Sequence, residues 1–286
     1  MTNRLFRASN EPIERALRDR LVPWHGTHGF PRNVTSRRRY DGYNALLLTA
    51  ASVRYKFLSR FWGTKEEWES LGGRLQPDAR CVNAVLYRSG FYGFGGGLVR
   101  FCVYNLDQVE GSFVASRHPL PPVDYAKVES VVTKVGADIR YTDENVAEYH
   151  WKDDDGDGDY IKMCHMRHFV RGPEGLPGYY YALFHELAGH FTEPQCRAGF
   201  WSHSEINELR ADMASGFVAS ELAIPPVAYE NRKHHQSLAE TWGERIAKRP
   251  KMLYDVALSA AKGVDFILGC SGPVEPRHRL TGDESA

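Results

Sequence analysis

Residues Tyr179–Asp212, YYYALFHELAGHFTEPQCRAGFWSHSEINELRAD, decide the reading of the C-terminal half of this chain. A helix bearing H-E-x-x-H sets two histidines on one face, where they share a metal ion, and its glutamate reaches a water on that ion. Here His185 and Glu186 are in place, but Gly189 occupies the second-ligand position and the histidine follows at His190. At about 100° per residue, a histidine five positions on points roughly 140° away from the first. A regular helix therefore splits the pair. A one-residue π-bulge around Ala188 and Gly189 would absorb the extra residue and restore the face. The spacing leaves both outcomes open.

The second half of the stretch bears on the first. Asn207-Glu208-Leu209-Arg210-Ala211-Asp212 lies within a helical pattern carried by Leu209, Met213, Phe217 and Leu222. This N-E-x-x-[SA]-D pattern resembles that of the gluzincins, and the resemblance makes Glu208 the third metal ligand. It also places Asp212, one turn later, against the N–H of a ligating histidine. That pairing is physically reasonable, because a metal-bound imidazole needs its other nitrogen tied to an acceptor.

The 286 residues suffice for two modest domains, each burying a core. Lys plus Arg and Asp plus Glu number 36 each, so the net charge is zero, yet the first sixty residues hold twelve basic against four acidic side chains. The five cysteines (Cys81, Cys102, Cys164, Cys196, Cys270) are scattered, with no C-x-x-C spacing. That usage predicts reduced thiols in the cytoplasm and argues against a disulfide framework. No apolar leader and no run approaching eighteen apolar residues occurs, so neither secretion nor a membrane partner is expected.

In the N-terminal third, Asn10–Leu21 reads as a short amphipathic helix started by Ser9 or Asn10. A basic, aromatic loop follows and leads into a helix from about Tyr43 to Leu58. Arg32, Arg37, Arg38 and Arg39 supply phosphate-pairing charge, and Trp24, Phe30, Tyr40 and Tyr43 supply faces for unpaired bases. Positive charge along a backbone track plus aromatic platforms is what single-stranded nucleic-acid binding requires. The same residues also suit a solvated basic loop whose aromatics are core. Thr64–Leu71 has a capping-type start. Residues 81–87 and 98–105 are strand-like and flank the glycine-rich stretch 90–97, which lacks the pattern of a phosphate cradle.

Three ordered runs carry a wider resemblance. They are Pro31-Arg32-Asn33 with Arg39-Tyr40-Asp41-Gly42-Tyr43-Asn44-Ala45-Leu46-Leu47-Leu48; Trp62-Gly63-Thr64-Lys65 with Leu71-Gly72-Gly73; and Val103-Tyr104-Asn105-Leu106-Asp107-Gln108-Val109-Glu110-Gly111. Over nearly its whole length the chain resembles the ArdC-like antirestriction proteins of plasmids and phages. The resemblance implies an N-terminal domain that binds single-stranded DNA, here through Trp24, Arg32, Arg37, Arg38, Arg39, Tyr40, Tyr43 and Asn44. It also implies a C-terminal zincin-like metallopeptidase domain.

The proline-bearing, aperiodic stretch 112–123 marks the junction, giving domains over 1–115 and 124–286. A helix over 124–136, a strand from 137, and a hairpin of 146–151 with 160–163 follow. Its turn, 153–159, matches the start of a calcium loop, but Cys164 stands where the closing glutamate belongs, and an acidic turn accounts for it better. In the resembled family this hairpin is the sheet edge beside the metal helix, where a substrate strand could add. His165, His168 and His235 are further histidines near the site in sequence, readable as surface positions or as aids to the centre.

The expected fold is thus α+β in two domains, a small basic single-stranded-DNA-binding domain followed by a gluzincin-like domain. His185, His190 and Glu208 would hold Zn2+, or another divalent ion such as Mn2+, with Glu186 as general base and Asp212 behind the ligands. The expected partners are single-stranded DNA and a protein substrate. Three function classes remain open: a DNA-targeted metallopeptidase of a mobile element, a non-catalytic protector of single-stranded DNA, and a zincin that has lost its metal and serves as an interaction module.

Overall fold

The computed structural model describes residues 2–19, 22–25, 29–88, 97–111, 122–150, 158–172, 175–191, 204–227 and 233–269. For residues 2–5, 87–88, 97–98, 190–191, 204 and 233–237 it describes the backbone alone. The architecture is α+β. Helix α1 (Thr2–Arg18) precedes strand β1 (Arg32–Asn33), α2 (Gly42–Tyr55), β2 (Phe61–Gly63), α3 (Lys65–Ser70) and β3 (Arg74–Leu75). Strands β4 (Val82–Arg88) and β5 (Gly97–Asn105), a 3-10 turn (Leu106–Gln108) and β6 (Val109–Glu110) complete this half. Then come α4 (Tyr125–Val135), β7 (Asp138–Thr142), β8 (Ala147–His150), β9 (Tyr160–Cys164), α5 (Met166–Val170) and α6 (Gly175–Phe184), which continues into a π-helix, His185–Phe191. Helices α7 (Ser204–Glu221), α8 (Lys233–Lys248) and α9 (Pro250–Ile267) follow.

Local chemistry sets several of these boundaries. Asp41 caps α2 by accepting from Asn44 N at 2.8 Å. Thr64 and Glu67 form a reciprocal capping box on α3, and α4 runs from an Asp124 cap to Gly136 in the left-handed region. Helix α1 departs from expectation. It starts at Thr2, so Ser9 and Asn10 are interior rather than caps. Asn10 instead donates to Pro250 O at 2.8 Å and accepts from Tyr43 Oη at 2.7 Å, joining α1, α2 and the start of α9. A residue with good capping chemistry is recruited here for a tertiary contact.

The N-terminal sheet has the order β1-β2-β5-β4, with β1 and β2 parallel and the other pairs antiparallel. Strands β3 and β6 pair separately. The second large sheet has the order β7-β9-β8, parallel on one side of β9 and antiparallel on the other. Pairing of β4 with β5 brings Cys81 and Cys102 to a Cα separation of 5.4 Å, and they form a disulfide. This corrects the expectation of reduced thiols drawn from scattered spacing, because antiparallel pairing makes neighbours of distant cysteines. Cys164 is free and buried. Among the described residues no helix is long and apolar enough to cross a membrane.

One continuous core gathers Phe6, Ile13, Trp24 and Leu46 from the first half with Phe184, Phe217 and Val256 from the second. Smaller clusters lie under the N-terminal sheet, around Trp62 and around Trp68. Residues 112–121 of the expected junction, 112–123, lie outside the described residues. On either side of them, the two halves bury their apolar surface against each other.

Candidate metal centre and nucleic-acid interface

The π-helix supplies the geometry on which the site depends. Its i→i+5 bonding places one more residue in the turn after His185 than an α-helix does, as a histidine at 190 requires. Gly189 is directed elsewhere: a Cβ built on it would lie 2.4 Å from Ala211 Cβ and 2.6 Å from Ala211 Cα. The position that carries the second histidine in an H-E-x-x-H helix is therefore packed directly against Ala211 of α7, where no side chain fits without a shift. The side chain of His190 lies outside the described residues.

On the facing helix, Glu208 and Asp212 are one turn apart and share a side of α7. His185 Nε2 and Glu208 Oε2 approach to 3.1 Å. Two donors bound to one zinc ion at about 2.0–2.2 Å stand roughly 3.4 Å apart in a tetrahedral site. An imidazole nitrogen facing a carboxylate oxygen at 3.1 Å is therefore a donor pair that fits a divalent cation. Among the described residues no set of three His, Cys, Asp or Glu side chains converges to hold a metal. Burial alone would push the His185 pKa down. The Glu208 hydrogen bond and the charges of Glu186, Glu208 and Asp212 outweigh it and hold the imidazole above its ordinary value.

Glu186 lies on the same turn, buried, and its Oε2 accepts the backbone N–H of Tyr149 at 3.0 Å. That N–H belongs to β8, the edge strand of its sheet, and it points away from β9. Burial pushes the Glu186 pKa up to about 7; the His185 charge and the Tyr149 bond pull it down, and Glu208 pushes it up. Asp212 is engaged from the other end of the chain. Trp24 Nε1 donates to its Oδ2 at 2.6 Å, and His25 Nε2 lies 3.4 Å from its Oδ1. The other candidate histidines sit apart. His165 stacks on Tyr141 and His168 lies 3.6 Å from Asp143. The side chain of His235 and most of the acidic turn, 151–157, lie outside the described residues.

The expected nucleic-acid residues divide by burial. Trp24 and Tyr43 are fully buried at 0 % exposure, so neither offers a face to a base; both are core aromatics, which corrects their assignment as stacking platforms. Asn44 is also buried: its amide donates to Val85 O and accepts from Val85 N, each at 2.8 Å, and so ties β4 to α2. Arg32 forms a two-pronged pair with Glu221 at 2.7 and 3.0 Å, and Arg39 binds Asp265 at 2.6 Å. Both are tied to α7 and α9 rather than displayed. Tyr40 is half-buried, its hydroxyl 3.4 Å from Trp62 O. Arg37 and Arg38 are exposed.

Beside Arg37, the structure gathers surface cations and aromatics that the sequence reading did not single out. Arg37 and Arg60 lie over the Phe61 ring at 4.6 and 5.4 Å. Arg54 and Arg80 lie over the Tyr55 ring at 5.4 and 5.2 Å. Arg37, Arg54 and Arg80 are exposed, and Tyr55, Arg60 and Phe61 are partly so. The signal was present in Arg54-Tyr55-Lys56-Phe57-Leu58-Ser59-Arg60-Phe61, where cations and aromatics interleave at the end of α2 and the start of β2.

Residues 7–93 match the family model of the N-terminal domain of anti-restriction factor ArdC. The chain is 23 % identical over 283 residues to the uncharacterized protein y4eC of Sinorhizobium fredii (strain NBRC 101917 / NGR234), covering 89 % of this chain and 87 % of that protein. Its fold is similar to the Mn(II)-bound crystal structure of the antirestriction ArdC protein from plasmid R388, with a TM-score of 0.74 at 20 % identity, covering 95 % of this chain and 99 % of that one. The metal-free structure of the same ArdC protein gives a TM-score of 0.73 at 20 % identity, over 92 % and 96 % of the two chains. Residues 7–93 thus match the ArdC N-terminal domain, and the fold along most of the chain is similar to that of ArdC.

Proposed function

We propose that this is an antirestriction-type protein that binds single-stranded DNA through an exposed basic-aromatic face and carries a metal-dependent, peptidase-like centre. The observation that carries the reading is the approach of His185 Nε2 to Glu208 Oε2 at 3.1 Å, with Glu186 on the same π turn. His185, Glu208 and, through the return of the π-helix, His190 would hold Zn2+ or Mn2+. When bound, the ion supplies Lewis-acid polarisation of a peptide carbonyl. Glu186 would take the proton of the attacking water and return it to the leaving amine. Tyr149 N–H fixes the direction of that carboxylate. Apart from Tyr149 N–H, which Glu186 holds, the outer edge of β8 has backbone groups that could pair with an extended peptide beside it.

On the DNA side, guanidinium groups stacked over Phe61 and Tyr55 combine phosphate-pairing charge with planar faces, the two ingredients of sequence-tolerant single-strand binding. Fluorescence anisotropy with a labelled single-stranded oligonucleotide, over a range of salt, tests this half. Arg60→Ala with Arg80→Ala should weaken binding and flatten its salt dependence by about one unit of slope for each phosphate no longer neutralised. An unchanged slope would move the interface elsewhere. Glu186→Ala tests the other half: it should leave oligonucleotide binding intact and abolish metal-dependent cleavage of an unfolded protein substrate. Protection of incoming DNA that survives Glu186→Ala would favour the non-catalytic protector.

A further inference from the structure

Trp24 and His25 belong to the N-terminal half, yet their polar atoms are directed at α7, the helix that carries Glu208. The Trp24 indole N–H donates to Asp212 Oδ2 at 2.6 Å, across 188 residues of sequence. His25 Nε2 lies 3.4 Å from the other oxygen, Oδ1. Both side chains are buried, with Trp24 packed on Trp242 and the His25 ring on Tyr181. Helix α7 is shaped to receive them. Gly216 stands one turn beyond Asp212, and a Cβ there would meet His25 Cδ2 at 2.6 Å and Trp24 O at 2.8 Å. Asp212 stands one turn from Glu208 on the same helix, and Glu208 Oε2 meets His185 Nε2 at 3.1 Å.

We infer that Trp24 and His25 are positioning residues of the metal centre, Trp24 holding one oxygen of Asp212 by a hydrogen bond and His25 flanking the other, so that the carboxylate is fixed one turn from Glu208. The inference rests on the metal reading above. The grip has a consequence for how the halves work together. The Trp24 bond fixes one oxygen of this carboxylate and His25 flanks the other, so the placing of its charge is set by a segment of the N-terminal half. The same segment continues to Arg32, which binds Glu221 at the far end of α7. Helix α7 is thereby held at two points by the part of the chain that leads into the exposed Arg37 and Arg38. Outer partners of this kind typically tune metal affinity by about 10- to 100-fold.

The test is Mn(II) affinity of the full chain, followed by electron paramagnetic resonance during titration with Mn(II) alone, with circular dichroism of the metal-free protein as a fold control. Trp24→Phe keeps a ring and removes the N–H; His25→Leu removes the second polar group; His25→Gln returns an N–H donor. Trp24→Phe and His25→Leu should each weaken Mn(II) binding roughly tenfold, and His25→Gln should recover most of that loss. A folded Trp24→Phe protein that binds Mn(II) as tightly as the parent overturns the inference. Should Trp24→Phe fail to fold, the His25 pair decides, and equal affinity of His25→Leu and His25→Gln overturns it. Glu208→Ala separates the two levels. If it abolishes Mn(II) binding, the metal reading stands whatever the Trp24 result; if it leaves binding unchanged, the metal reading fails and the grip on Asp212 falls with it.

Discussion

Gly189 and Ala211 meet with no room between them: a Cβ on the glycine would lie 2.4 Å from the alanine Cβ and 2.6 Å from its Cα. The π-helix packs on α7 at this point, and His185 and Glu208 lie on the two packed elements. Gly189→Ala should therefore lower stability by about 1–3 kcal/mol through overpacking. Gly189→His, which rebuilds the common H-E-x-x-H spacing, should be worse still and should not tighten metal binding. Thermal denaturation with Mn(II) titration checks both, and tighter binding by the histidine variant would show that residue 189 can face the metal.

The buried Glu186 carboxyl gives a pH signature in the metal-free protein. Its pKa is pushed up from 4.5 to about 7, chiefly by burial, so the folded state holds this proton more tightly than the unfolded one. The resulting stabilisation is fully present below pH 4.5 and disappears as pH rises through about 7. Above that, the ionised carboxylate costs the fold at most about 3 kcal/mol relative to the neutral form. Glu186→Gln, which stays neutral, should raise the Tm of metal-free protein at pH 8 and do much less at pH 5. Equal shifts at the two pH values would show that burial does not govern this group.

Asn44 should behave as a structural residue. Its amide satisfies both backbone groups of Val85 in a buried position. Asn44→Ala leaves those groups without partners, at about 1–3 kcal/mol each. Chemical denaturation should register that loss while oligonucleotide affinity of the folded protein stays level. Weaker DNA binding at unchanged stability would return Asn44 to the interface.

Arg32 and Arg37 should separate in the same way. Arg32 is held by Glu221 on α7, and losing hydrogen bonds to a charged group costs about 1.5–3 kcal/mol. Arg32→Ala should therefore lower the Tm. Arg37 is exposed over Phe61, so Arg37→Ala should leave the Tm nearly unchanged and reduce the salt dependence of oligonucleotide binding. Matching effects from the two variants would place both arginines in one role.

Much of the scaffold is legible locally. The Thr64/Glu67 box, the Asp124 and Gly136 ends of α4, and the pairing of β8 with β9 all follow from neighbouring residues. The site is legible in part. One residue too many between His185 and His190 must either split the pair or widen the turn, and the chain widens the turn. The first half misled where residue type and location part company. Arginines and aromatics in one loop suit a DNA-binding surface and an interdomain contact equally well.

The sequence alone determined the limits of α3, α4, β4, β5 and α9 to within a residue or two, and the α+β class, because these depend on capping chemistry, periodicity and short spacings within a segment. Tertiary structure decided that Trp24 and Tyr43 are core, that Arg32 and Arg39 serve Glu221 and Asp265, that Cys81 and Cys102 bond, and that Asp212 belongs partly to the N-terminal half. Burial and ion pairing depend on which distant surfaces meet. A partner 188 residues away leaves no trace in local pattern until the chain has folded back on itself.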